Sequence, residues 1–343
     1  MTQKPTTNIR ELASKLNISV TTVSRVLNGK ARQYRISRKT EKEVRDAARE
    51  FGYFPNQFAR GLKLDKSDTL GVIVPDISNP FFAEIVMSIE QESKNNGYSV
   101  LIGNSGEDTD QEKTLINHFI SKKVDGIVIA PVGISSEHIE RRFLSGIPFV
   151  IVDRTFPGLN IPTITSDNYG GAYTATLHLL ENNHHKIACI QGLNESQPNI
   201  ERVRGYTDAM RSYNIPEEDL IITGDRFSIE SGYKQAHQLL KGKPRPTAFF
   251  ALNNLIALGI LRAVTEFSLS IPEDISLISF DEQTYSAFLN TPMTTIEQNK
   301  QEIGKIAVEK LIMQMDKKEM DSQLFLHVQT KLLKRQSIKN LKE

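Results

Sequence analysis

The sequence predicts an α-helical module followed by a two-lobed α/β core, with parallel sheets and helices on both faces. Three observations predict it. Basic charge is concentrated in the first 66 residues, the apolar spacing there is helical, and from Leu70 onward short apolar runs alternate with amphipathic stretches. A chain of 343 residues, 39% of them hydrophobic, can bury a sizeable core and by length should hold two or three domains. Residues 1–66 carry seven Lys and eight Arg against six acidic residues, a net +9, whereas the whole chain is +1, so the remaining 277 residues carry −8. Basic charge confined to one small segment suits a phosphate backbone, because each neutralised phosphate releases counterions; a solvated basic face is the alternative reading.

The helical module is legible residue by residue. In "NIRELASKL", Ile9, Leu12, Ala13 and Leu16 repeat at i, i+3, i+4, i+7, with Asn8 as cap, which predicts a first helix. "SVTTVSRVLNG" is β-branched, yet alternation would split Val23 from Val26. Helical spacing instead gathers Val23, Val26 and Leu27, with Ser19 as N-cap and Asn28-Gly29 as the stop. A third helix fits "SRKTEKEVRDAAREFGY", burying Val44, Ala47, Ala48 and Phe51. Two short helices joined by a tight turn form a helix-turn-helix, whose second helix enters the major groove N-terminus first. Arg25 is then placed for a guanine edge, with Val20 and Thr21 toward neighbouring bases; a phosphate contact or surface ion pair is the alternative for Arg25.

From Leu70 the pattern is repeated βα: "LGVIVP", "YSVLIGN", "VDGIVIAP" and "IPFVIVDR", each followed or preceded by a helical stretch. It restarts near Asp167 with "KIACIQG", "LIITGD", "AFFALN" and "SLISFD". In such sheets ligands bind beyond the carboxyl ends of strands. There lie Asp76 to Phe82, Asp153-Arg154, Phe227, Asn253 and Asp281, a polar and aromatic set suited to a sugar or a nucleobase. No strand is followed by a dinucleotide or phosphate-loop fingerprint, so no cofactor is expected. Nor does any serine elbow or carboxylate pair support an enzyme. His184-His185 falls at a turn and predicts no metal site. Cys189, the one cysteine, reads as a small buried hydrophobe. No run reaches the roughly 18 apolar residues of a membrane span, and the N-terminus lacks a secretory core, so a cytoplasmic protein without membrane contact is expected.

"IRELASKLNISVTTVSRVLNGK" and "YRISRKTEKEVRDAAREFGYFPNQFARGLK" together resemble the DNA-binding headpiece and hinge of the LacI/GalR family of bacterial transcription regulators. The resemblance continues through "LGVIVPDISNPFFAEIV", "SDNYGGA", "RVRGYTDAM", "IPEDISLISFDE" and "TTIEQN". It implies a periplasmic-binding-protein-like core and a homodimer reading a near-palindromic operator in double-stranded DNA. It further implies a repressor controlled by a small effector, most often a sugar; a purine-responsive corepressor-dependent regulator or an activator is the alternative. A transport-type sugar-binding protein shares the two-lobed fold but has no use for residues 1–66. The implied DNA-facing set is Thr7, Ser19, Val20, Thr21, Thr22, Ser24, Arg25, Asn28, Asn56, Ala59, Leu62 and Lys63, with Leu62 as a wedge into the central base step. The implied effector set is Phe81, Phe82, Asp153, Arg154, Arg202, Phe227, Asn253 and Asp281, Arg202 standing at the start of a helix. Two positions depart from the family pattern, Asn254 for an acid and Ser279 for a glycine. The expected domains are a helix-turn-helix unit at 1–54, a hinge helix and linker at 55–69, and the core at 70–343. Within the core the N-lobe is expected at about 70–165 plus 296–325 and the C-lobe at about 166–291 plus 326–338.

Overall fold

The computed structural model describes residues 8–53, 66–156, 158–316 and 324–342, in two compact units that divide between Ser67 and Asp68. Thr7, Asn56, Ala59, Leu62 and Lys63 lie outside the described residues. In the first unit, α1 (Ile9–Lys15), α2 (Val20–Leu27) and α3 (Arg38–Glu50) each begin at a side-chain cap. Asn8 Oδ1 accepts from the backbone N of Arg10 and Glu11, both at 3.0 Å, and Glu11 reaches back to complete a capping box. Ser19 and Ser37 accept from Thr22 N and Thr40 N at 3.0 and 3.1 Å. Each such cap is worth about 1 kcal/mol, a large share for helices this short. Leu12, Val23, Val26 and Val44 are fully buried and Ala13, Ala31, Ala47 and Ala48 close the small core around them. Leu27 and Phe51, expected inside, pack at its edge half-buried.

The second unit holds two six-stranded sheets. The first contains β1 (Thr69–Val74), β2 (Ser99–Asn104), β3 (Gly126–Ile129), β4 (Phe149–Val152), β5 (Thr163–Ser166) and β11 (Phe325–Val328), ordered β11-β5-β4-β3-β1-β2 and parallel throughout. The second contains β6 (Ile187–Ile190), β7 (Ile221–Thr223), β8 (Ala248–Ala251), β9 (Ser276–Phe280), β10 (Thr294–Gln298) and β12 (Thr330–Leu333), ordered β12-β10-β9-β8-β6-β7. All its pairings are parallel except β12 against β10. Central strands such as "FVIV" and "AFFA" are buried on both faces, which is why they read as unbroken apolar runs. Helices α4 (Pro80–Asn95), α5 (Thr109–Ser121), α6 (Glu137–Leu144) and α11 (Lys300–Met315) cover the first sheet. Helices α7 (Asn168–Glu181), α8 (Gln197–Ser212), α9 (Ile229–Lys241) and α10 (Asn254–Glu266) cover the second. Cys189 is buried in that second core, where burial pushes its thiol up.

The strands correct the expected lobe boundaries. Residues 296–298 belong to the C-lobe, because β10 finds its backbone partners on β9 and β12, so the chain crosses at Asn299, the cap of α11. Residues 326–328 belong to the N-lobe, because β11 pairs with β5, and the last crossing falls at Gln329. The first crossing lies beside it: Asp167 N donates to Val328 O at 2.9 Å.

Candidate functional site

Two surfaces carry the residues singled out in the sequence. On the helical unit, Ser19, Val20 and Thr21 are exposed at the start of α2, Val20 to 40%. Thr22, Ser24, Arg25 and Asn28 are half-buried. Several of them already serve the helix: Ser19 caps it and pairs with Thr22 Oγ1 at 2.8 Å, while Asn28 Nδ2 donates to Ser24 O at 2.7 Å. Arg25 differs. Its guanidinium stacks on the Tyr34 ring, Cζ lying 3.8 Å from the centroid, which fixes the direction of an otherwise flexible side chain. Sequence reasoning missed Tyr34, which sits in an irregular connection where no periodicity speaks. Exposed Lys30, Arg32, Arg35 and Arg38 surround it in sequence and carry much of the local positive charge.

In the core, all eight residues of the expected effector set line one cavity of about 110 Å3 between the lobes. Phe81 and Phe82 occupy the first turn of α4, whose cap Asn79 accepts from Phe81 N at 3.1 Å. Asp153 and Arg154 follow β4, Phe227 precedes α9, Asn253 caps α10 by accepting from Ile256 N at 2.8 Å, and Asp281 follows β9. Arg202 needs a correction: α8 starts at Gln197, capped by Ser196, so Arg202 stands in the second turn rather than at the helix start. That register brings Ser196 and Pro198 to the cavity as well. Asp76, Asn79, Glu107 and Leu255 also line it and were not singled out individually. The strand-end rule was the available signal for Glu107, just beyond β2.

Hydrogen bonds and an ion pair orient the side chains of the cavity. Arg202 Nε donates to Asn168 Oδ1 at 2.8 Å and Nη1 to Leu252 O at 2.6 Å, and its Cζ lies 3.8 Å from the Phe280 centroid. Arg154 makes a two-pronged pair with Glu107 at 2.7 and 2.6 Å. Asp281 accepts from Gln298 Nε2. Asp153 and Asp281 have φ of 64° and 73°, left-handed backbone that is uncommon for residues with a side chain and concentrates at functional sites. The departure Asn254 is buried and bridges the lobes, its Nδ2 donating to Asn79 Oδ1 at 3.2 Å, and Lys300 Nζ spans Glu84 of one lobe at 2.8 Å and the Glu282 carbonyl of the other at 3.1 Å. Ser279 Oγ donates to the Phe280 carbonyl at 2.6 Å, so its added hydroxyl is satisfied by backbone. His184 is likewise satisfied, its ring nitrogens lying 2.9 Å from Thr247 Oγ1 and 2.9 Å from the Lys339 carbonyl oxygen. Among the described residues no group of three metal-ligating side chains occurs.

Burial, opposed by Arg154 and Arg202 and reinforced by Asp281 and Glu107, pushes the Asp153 carboxyl up to about 6. The folded protein therefore keeps this proton where the unfolded chain has lost it. The contribution of this group to stability falls as pH rises from about 4 to about 6, by on the order of 2–3 kcal/mol. Asp153→Asn is expected to raise the melting temperature by several degrees at pH 7.5 and to change it little at pH 4. Equal shifts at both pH values in thermal melts contradict a charge penalty. Gly192 lies directly beneath the Phe227 ring, where an added Cβ meets Cδ1, Cε1 and Cγ. Gly192→Ala is expected to displace the ring and weaken ligand binding by roughly fivefold, about 1 kcal/mol; unchanged affinity by calorimetry places Phe227 outside the contact.

Comparison with known proteins is consistent along the whole chain. Residues 8–56 match the model described as bacterial regulatory proteins, lacI family, and residues 67–336 match periplasmic binding proteins and sugar binding domain of LacI family. The HTH-type transcriptional repressor CytR of Escherichia coli K12 is 38% identical over 317 residues, 91% of either chain. The lac repressor dimer bound to operator and an anti-inducer superposes with a TM-score of 0.86 at 25% identity, covering 98% of this chain and 100% of that one. The CelR–cellobiose complex gives 0.71 at 26% identity, covering 96% and 99%.

Proposed function

The chain belongs to the lacI family of bacterial regulatory proteins, and from that premise we propose that α2 reads an operator while the inter-lobe cavity holds the effector that controls it. The protein is a DNA-binding transcription regulator with a small-molecule effector, not an enzyme. No helix among the described residues is long and apolar enough to cross a membrane. Work on bacterial DNA supports a cytoplasmic location. Two-fold symmetry of a homodimer matches a near-palindrome of half-sites. Val20, Thr21 and Arg25 take base edges, Thr7, Ser19, Thr22, Ser24 and Asn28 complete the DNA-facing set, and Leu62 wedges into the minor groove with Ala59 toward the groove wall and Lys63 toward phosphate.

The observation that carries the effector reading is the convergence of Asp153, Asp281, Arg202 and Phe227 on one cavity between the lobes. Its lining holds Asp76, Glu107, Asp153 and Asp281 against Arg154 and Arg202, an acidic excess that favours a neutral ligand rich in hydroxyl donors over an anion. A sugar or sugar derivative has those donors and an apolar ring face for Phe227. Its binding shifts the balance between two lobe arrangements, which the Asn254–Asn79 and Lys300 bridges bias, and so changes operator affinity. Titrating neutral sugars against the protein on its selected operator tests this. A neutral sugar that alters operator affinity supports it; a response confined to anionic metabolites contradicts it.

A further inference from the structure

A groove of about 580 Å3 runs between α5 and α6 on the N-lobe and shares no lining residue with the effector cavity. One wall comes from α5 with Thr109, Lys113 and Asn117, the other from α6 with His138, Arg141 and Arg142. Against these three cations the lining sets one acid, Glu137, among the described residues. That balance runs against its surroundings, because the 277 residues after the basic segment carry a net −8. The volume falls within the roughly 300–1,000 Å3 of small-molecule sites, and the acidic core around the groove disfavours a long polyanion such as DNA.

The present partners of the cations are weak competitors. Lys113 Nζ pairs with Asp110 at 2.8 Å and Arg141 pairs with Glu137, both between exposed side chains, where such pairs add little and a ligand of higher charge displaces them. Arg142 Nη2 donates to Asn117 Oδ1 across the groove at 2.7 Å, and a guanidinium has further N–H donors in the same plane for a carboxylate or phosphate. His138 carries the groove inward. Its Nε2 lies 2.7 Å from Oε1 of Glu112, a fully buried carboxyl whose Oε2 accepts from Val132 N at 2.9 Å. Val132 stands between Pro131 and Gly133, which line a small cavity together with Glu107 and Arg154, and that ion pair also lines the effector cavity.

We propose that the groove is a second ligand site, for a small anion of two or more charges, and that its occupancy reaches the effector cavity through His138, Glu112 and the Val132 loop. Lys113, Arg141 and Arg142 take the charges of the ligand, and Thr109 and Ser135 offer hydroxyls to its polar frame. An anion that draws Arg141 and Arg142 toward α5 shifts α6, whose first turn carries His138.

Calorimetry on the full-length protein tests the site, with inorganic pyrophosphate and citrate as probes and glucose as an uncharged comparison. At least one anion is expected to bind, more weakly as salt rises, and the tighter of the two tells whether phosphate or carboxylate is the preferred group. Arg141→Gln combined with Arg142→Gln, both at exposed positions, is expected to weaken that binding at least tenfold. Lys113→Glu, also exposed, provides the same test should the double variant fold poorly. In hydrogen exchange the bound anion is expected to protect residues 109–117 and 135–142 and to slow exchange of the Val132 amide. Binding by neither anion, affinity that survives both sets of variants, or protection confined to residues 1–66 overturns the site. Protection of the groove with unchanged exchange at Val132 overturns the route to the effector cavity.

Discussion

Full-length protein carrying Arg25→Ala is expected to bind random-sequence DNA with nearly its original salt dependence while losing its preference for a selected operator by roughly 5- to 100-fold. That range corresponds to the about 1–3 kcal/mol that a two-pronged arginine–guanine contact contributes to discrimination. Nonspecific affinity comes instead from the many Lys and Arg of residues 1–66, of which Arg25 is one, so its removal barely alters the counterion term. Tyr34 refines the expectation. Because its ring lies 3.8 Å from the Arg25 guanidinium, Tyr34→Ala should reproduce part of the loss and Tyr34→Phe, which keeps the aromatic face, should not. Equal losses on operator and random DNA in salt-titrated binding assays assign Arg25 to phosphate.

Substituting Arg202 should have the largest effect on effector control. Arg202→Lys keeps the charge between Asp153 and Asp281 but cannot hold Asn168 and the Leu252 carbonyl while still presenting a donor to the cavity. Loss of one charge-assisted bond to ligand costs about 1.5–3 kcal/mol, roughly 10- to 100-fold in effector affinity. Arg202→Ala goes further, because it leaves buried polar groups unpaired, and abolishes the response along with several kcal/mol of core stability. The lysine variant is the cleaner test, as its operator affinity without effector is expected to be retained. An unchanged effector response in Arg202→Lys moves the ligand away from α8.

How far these sites were legible in the sequence depended on whether local chemistry fixed them. The limits of α2 follow from Ser19 and Asn28-Gly29, whose capping and left-handed preferences act within a few residues. That Asp153, Asn253 and Asp281 meet at one cavity was legible because parallel sheets place strand carboxyl ends together whatever the strands contain. Lobe membership of "TTIEQ" and "FLHV" was not, because both can pair with either sheet and only distant neighbours decide; β11 and β12 are separated by Gln329 alone. The Asn254–Asn79 bridge joins residues 175 positions apart, and nothing local to either announces it. The start of α8 was missed because "QPNI" carries Pro198 second, a residue that suits a first helical turn yet also reads as a loop. Tyr34 was hidden by its position in a connection whose conformation the sequence pattern does not constrain.

Selection from random DNA decides whether α2 reads a specific operator as half of a symmetric pair. The full-length protein is incubated with a random double-stranded DNA pool at about physiological salt, and the retained DNA is sequenced. The predicted result is enrichment of a near-palindrome whose half-sites carry a guanine that Arg25→Ala ceases to select. Retention of DNA with no sequence in common, both alone and with metabolite extract supplied, contradicts it.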